Sequence, residues 1–101
     1  MLNIVINDDN GKITVELEGK LDTATSPELD SKLKEILPGV KELTIDFAKL
    51  NFISSAGLRV FLAAQKYMED NNLPTVIAIN VNDRVAEIFE LVDFFDVLDV
   101  R

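Results

Sequence analysis

The chain contains no cysteine and no histidine. Without cysteine there is no disulfide and no thiolate chemistry, although this alone does not fix the redox compartment. Without histidine, the commonest general base and the commonest metal ligand are missing together. No apolar run approaches the about 20 residues that a membrane-spanning helix needs. The N-terminal stretch Met1–Asp9 has neither a basic region nor a cleavage site, so it does not read as a signal peptide. A cytoplasmic location follows as the expectation. Phosphate-binding loops, dinucleotide fingerprints and metal-ligand spacings are all absent, so no metal and no cofactor are expected. Basic residues are scarce: 10 Lys and Arg face 18 Asp and Glu, for a formal charge of −8. Such a surface repels phosphate backbones and disfavours nucleic acid as a partner.

What is present is an ordinary core. The 101 residues are 48% hydrophobic, enough for one domain over residues 1–101 and too few for two. At this size folding buries about 65% of the unfolded surface, so no covalent staple is required.

Hydrophobic periodicity places the elements. Leu2–Ile6 and Ile13–Leu17 alternate, and the Asn10-Gly11 pair between them predicts an antiparallel hairpin. A loop, Gly19–Thr25, leads to a helix started by Ser26-Pro27-Glu28, with either Thr25 or Ser26 as its cap. Leu29, Leu33, Ile36 and Leu37 form one apolar stripe, and Pro38-Gly39 ends the helix. Val40–Phe47 reads as the third strand, with Ala48–Asn51 as the lead into a loop. A second helix is expected from about Ala56 to Asp70, largely buried. Thr75–Ile79 reads as a strand covered on both faces. Asn80 or Asn82 caps a third helix bearing Val85, Ile88, Phe89 and Val92, and the tail Asp93–Arg101 has room for a short fifth strand.

The order β-β-α-β-α-β-α predicts an α/β fold, a mixed four- to five-stranded sheet with helices packed against it. The expected core includes Leu29, Leu33, Ile36, Val60, Leu62, Val76, Ile77, Ile79, Val85, Ile88 and Phe89.

Three stretches could carry function. Ser54-Ser55-Ala56-Gly57 stands where a strand turns into a helix. A serine there can cap free N–H groups, and the same N–H groups and positive helix end suit an added phosphate. Asp22, in the Gly19–Thr25 loop, falls on the same sheet edge if the second and third strands are parallel. It would bond the serine loop, face a partner, or only bond its own turn. The acidic residues after position 82 read as a solvated helix face. A nucleophilic role for Ser55 needs an activating base, and Lys20, Lys49 and Lys66 form no recognisable pattern with it. Ile53 also stands where a nucleophile elbow needs glycine. No catalytic residue is therefore assigned, and the chain is not expected to be an enzyme.

Two of these stretches resemble the STAS domain of bacterial anti-sigma factor antagonists. Gly19-Lys20-Leu21-Asp22 is similar to that family's Gly-(Glu/Arg)-Leu-Asp loop, and Phe47–Leu58 to its strand, loop and helix start. The resemblance implies a serine phosphorylated by a partner that is both anti-sigma factor and serine kinase. Matched from Gly57, that serine is Ser55. The unphosphorylated protein would bind the partner and free the sigma factor, and a phosphatase would reset the cycle. The implied partner surface comprises Asp22, Thr23, Ser54, Ser55, Ala56, Gly57, Leu58 and Arg59. The best-known members have Asp before the phosphorylated serine and Ser or Thr after it, whereas here Ser54 and Ala56 occupy those places. Ser54 thus stands as the alternative acceptor. A role in another signalling complex or a transport system is the rival reading. With no membrane span ahead of the domain, a fused transporter is not expected. The chain stops at Arg101, short of that family's usual last helix, which predicts a trimmed or loosely packed end.

Overall fold

The structure, a computed structural model, describes all residues from Met1 to Arg101. Strands β1 (Leu2–Asp9) and β2 (Lys12–Leu21) form an antiparallel hairpin around the two-residue turn Asn10-Gly11. Then follow helix α1 (Ser26–Ile36), strand β3 (Glu42–Ile53), helix α2 (Ser55–Asp70), strand β4 (Ile77–Ile79) and helix α3 (Asp83–Leu91). A 3-10 turn (Phe94–Asp96) and strand β5 (Asp99–Val100) close the chain. The five strands lie in the order β1-β2-β3-β4-β5, and every pair after the hairpin is parallel. Each crossover moves one strand along in the same direction. Right-handed connections therefore put all three helices on one face.

Alternation along the strands agrees with that arrangement. Ile13, Val15 and Leu17 on β2, Leu43, Ile45 and Phe47 on β3, and Ala78 on β4 are buried. They join Leu29 and Leu33 of α1, Phe61 and Met68 of α2, and Val85 and Phe89 of α3 in one cluster of 25 residues. Phe47 is its hub, meeting the rings of Phe61 and Phe89 edge-on at centroid distances of 5.4 Å each. On the other face Asn3, Val5, Glu16 and Glu18 are exposed, with no helix above them.

The expected core needs one correction. Leu62 is 44% exposed, because the buried arc of α2 runs through Leu58, Phe61, Ala64 and Met68 and Leu62 falls beside it. Ile36, Ile79 and Ile88 are only partly buried.

Element boundaries also differ from the sequence reading. β2 runs on through Gly19 to Leu21, and β3 runs through Ala48–Asn51 to Ile53, where loops were expected. The pairing of β2 with β3 shifts register between Glu16 and Glu18 and again between Gly19 and Lys20. Such bulges break period-2 alternation and hide a strand from a pattern search. The tail is packed rather than loose: Phe94 is 3% and Leu98 is 4% exposed, and β5 pairs with β4.

Candidate functional site

The two serines at the end of β3 have different positions and different tasks. Ser54 is the N-cap of α2, with extended backbone (φ −87°, ψ 171°). Its hydroxyl accepts from the Gly57 N–H at 3.3 Å, and its carbonyl accepts from the Leu58 N–H at 3.0 Å. Ser54 is half-buried; Ser55, the first residue of α2, is exposed. Ser55 therefore presents its side chain at the positive end of a 16-residue helix with no acid in its first turn. Arg59, also exposed, stands one turn on at the i+4 spacing that brings helix side chains together.

Gly57 is buried and lets the helix start sit where it does. A Cβ there would fall 2.7 Å from Leu21 Cγ and 3.1 Å from Ile53 Cγ2. Gly57 and Leu58, expected at the partner surface, face inward instead. They seat the start of α2 against the sheet.

The loop carrying Asp22 is stitched to the serine loop through the sheet. Leu21 pairs with Ile53, and the Ser54 N–H donates to the Leu21 carbonyl at 2.8 Å. The segments that follow, Asp22–Thr25 and Ser54–Gly57, thus leave the sheet side by side. Gly19, two residues ahead of Leu21, has φ +106°, and a Cβ there would collide with the Met1 carbonyl oxygen. Only glycine fits that position of the Gly19–Asp22 stretch.

Asp22 organises its own turn. Its Oδ1 accepts from the backbone N–H groups of Ala24 and Thr25, both at 3.0 Å, and from the Thr25 hydroxyl at 3.2 Å. The Thr25 N–H bond is the leading reason its carboxyl is held below the usual carboxylate range; partial burial opposes this, while the Thr25 hydroxyl, the Ala24 N–H and the chain's amino terminus reinforce it. Neither Thr25 nor Ser26 caps α1 with its side chain. The Thr25 hydroxyl shares its one proton between Asp22 Oδ1 and the nearer Lys20 carbonyl at 2.8 Å, and the Ser26 hydroxyl donates to the Asp22 carbonyl at 2.5 Å.

Thr23 and Ala56 come together on one open cleft between the starts of α1 and α2, shared with Pro27, Asp30 and Arg59. A second depression beside it is lined by Lys20, Asp22, Asn51, Phe52 and Arg84. Phe52 is 43% exposed there, an aromatic ring on the surface next to the serine loop. Neither Phe52 nor Arg84 stands out in the sequence: Phe52 falls in the stretch read there as the approach to the serine loop, and Arg84 lies 29 residues beyond Ser55.

Asn82 is the N-cap of α3, and it does more. Its Oδ1 accepts from the Val85 N–H at 3.0 Å, while its Nδ2 donates to the carbonyls of Phe47 (2.9 Å) and Leu50 (2.8 Å). It clamps α3 to the irregular half of β3 that leads to the serines. Asn80 is not the cap; its amide reaches Asp46 at 3.2 Å.

The chain matches the STAS domain over residues 2–101, and it belongs to that family. It is 27% identical over 101 residues to the anti-sigma-B factor antagonist of Staphylococcus aureus, spanning 99% of this chain and 93% of that one. Its fold is that of the anti-sigma factor antagonist SpoIIAA in its unphosphorylated form, with a TM-score of 0.84 at 17% identity, covering 98% of this chain and 88% of the other. The phosphorylated form of the Bacillus cell fate determinant SpoIIAA superimposes with a TM-score of 0.76 at 16% identity, covering 98% and 91%. No helix of the chain is long and apolar enough to cross a membrane.

Proposed function

We propose that this protein is an anti-sigma factor antagonist switched by phosphorylation of Ser55. Unmodified, it binds an anti-sigma factor that is also a serine kinase and so frees a sigma factor. Phosphorylated, it lets the partner go, and a protein phosphatase restores it. It catalyses nothing itself and acts in the cytoplasm.

The observation that carries the reading is the division of labour between the two serines. Ser54 spends its oxygen on the helix cap, whereas Ser55 is exposed at the helix start. A phosphate on Ser55 would add about −1.5 to −2 charges at pH 7. It would meet free N–H groups at the helix end and the Arg59 side chain one turn away, so the domain should stay folded. The partner surface in this reading is formed by Asp22, Thr23, Ser54, Ser55, Ala56 and Arg59, with exposed Phe52 as an added apolar anchor. The relatives named anti-sigma factor antagonists support the class of partner.

Incubation with ATP and the cognate kinase, followed by fragment mass spectrometry, tests the assignment. Phosphate is expected on Ser55, lost in Ser55→Ala and kept in Ser54→Ala. Phosphate on Ser54 alone, or persisting in Ser55→Ala, would refute it.

A further inference from the structure

We infer that the free edge of β1 pairs with the same edge of a second copy of this chain, forming a two-fold symmetric, continuous ten-stranded sheet. β1 is the outermost strand, and its eight residues have β2 on one side and no strand on the other. Proteins commonly blunt such an edge with Lys, Pro, a bulge or a short strand. β1 contains no Lys and no Pro, and its register with β2 is unbroken from Leu2↔Gly19 to Asp9↔Lys12. Its stretch Leu2–Asn7 is uncharged in a chain of formal charge −8.

The sequence of this edge is self-complementary. Asn3-Ile4-Val5-Ile6-Asn7 reads the same in both directions about Val5. Antiparallel pairing of two copies about that residue puts Val5 opposite Val5, Ile4 opposite Ile6 and Asn3 opposite Asn7. The hydrogen-bonding parity agrees. The two-residue turn makes Asp9 and Lys12 a bonded pair, and the Lys20 N–H donates to the Met1 carbonyl at 3.3 Å. Odd-numbered residues of β1 therefore bond to β2, and Leu2, Ile4, Ile6 and Asp8 direct their N–H and C=O groups outward. The pairs Ile4–Ile6 and Leu2–Asp8, each occurring twice across the axis, are the ones that can exchange bonds, about eight in all. Val5 meets Val5 in a non-bonded pair, where Cα atoms approach to about 4.5 Å and side chains pack closest.

Side chains and charges also fit. Val5 is 45% exposed on the sheet face without helices, so the pair would cover an apolar side chain now in water. Ile4 and Ile6 lie half-buried against the core on the helix side, so both helix layers fall on one side of the joined sheet. Antiparallel pairing sends Asp8 and Asp9 of the two copies to opposite ends, whereas parallel pairing would stack them. The two Ser55 sites then lie at opposite ends of the assembly. A single strand pair is smaller than a standard stable interface, so the association is weak and concentration-dependent.

Amide hydrogen exchange on the full chain, read by NMR from about 0.05 to 1 mM, tests this, together with sedimentation over the same range. Exchange at Ile4 and Ile6 should slow as concentration rises, in step with dimer mass. Val5→Glu and Val5→Lys should each sediment as monomers with an unchanged far-UV spectrum. An equimolar mixture of the two should form a mixed dimer. A monomer throughout that range, a dimer in which Ile4 and Ile6 exchange unchanged, or a mixture that stays monomeric would each overturn the inference.

Discussion

Single atoms decide several of the site's properties. At Gly57, helix propensity and packing pull in opposite directions. Alanine gains at most about 1 kcal/mol in a helix interior and less in its first turn. The added carbon would sit 2.7 Å from Leu21 Cγ, and overpacking of this kind costs about 1–3 kcal/mol. Gly57→Ala should therefore lower stability in urea denaturation. A gain would mean that Leu21 yields freely. Ser54→Ala loses a cap worth about 1 kcal/mol and should still take phosphate on Ser55. Asp22 gives a pH signature. Its carboxyl is held below the usual range in the folded state, so the stabilisation it provides is present above about pH 4 and is lost as pH falls through the lowered value. In an NMR titration, the Ala24 and Thr25 amides should report a midpoint below the ordinary carboxylate value. Asp22→Asn should remove that transition. A midpoint at or above the ordinary value would contradict the hydrogen-bonded turn.

At the scale of elements, the site depends on clamps between segments far apart in sequence. Asn82→Ala removes the α3 cap and leaves the Phe47 and Leu50 carbonyls without that donor, a loss of about 1–3 kcal/mol. Asn82→Ser should recover only the capping share, which paired thermal unfolding curves would resolve. Full recovery by serine would show that the bonds to β3 contribute nothing. These clamps explain what was legible in the sequence and what was not. The hairpin and the three helices were readable because turn chemistry and periodicity are local; the fourth strand was readable only in part, since Thr75–Ile79 was expected and β4 spans Ile77–Ile79. The true ends of β2 and β3 were not, since Ala48 and Lys49 are both exposed at a bulge and the alternation fails there. Nor was buried Gln65, whose side-chain oxygen accepts from the Val76 N–H at 2.8 Å. A polar residue on a helix reads as surface unless its distant partner is known. At the candidate site the serine pair and Asp22 were visible as residue types. The inward turn of Gly57 and Leu58, and the surface exposure of Phe52, required the fold.

For the whole molecule, one phosphate on Ser55 is expected to change binding without changing the fold. The core lies on the helix face of the sheet, while Asp22 and Thr23 on the loop after β2 and Ser55 at the start of α2 are partly or fully exposed. A new charge there has water and helix N–H groups around it in the free protein. In a complex it would lose that water against the partner's surface, and each 1.4 kcal/mol of the desolvation cost weakens affinity about tenfold. Titration calorimetry against the cognate anti-sigma kinase, with unmodified and Ser55-phosphorylated protein matched for far-UV spectrum and melting temperature, measures this directly. Phosphorylation should weaken affinity about 100- to 1,000-fold with the fold intact; equal affinities, or a loss accompanied by unfolding, would contradict the switch.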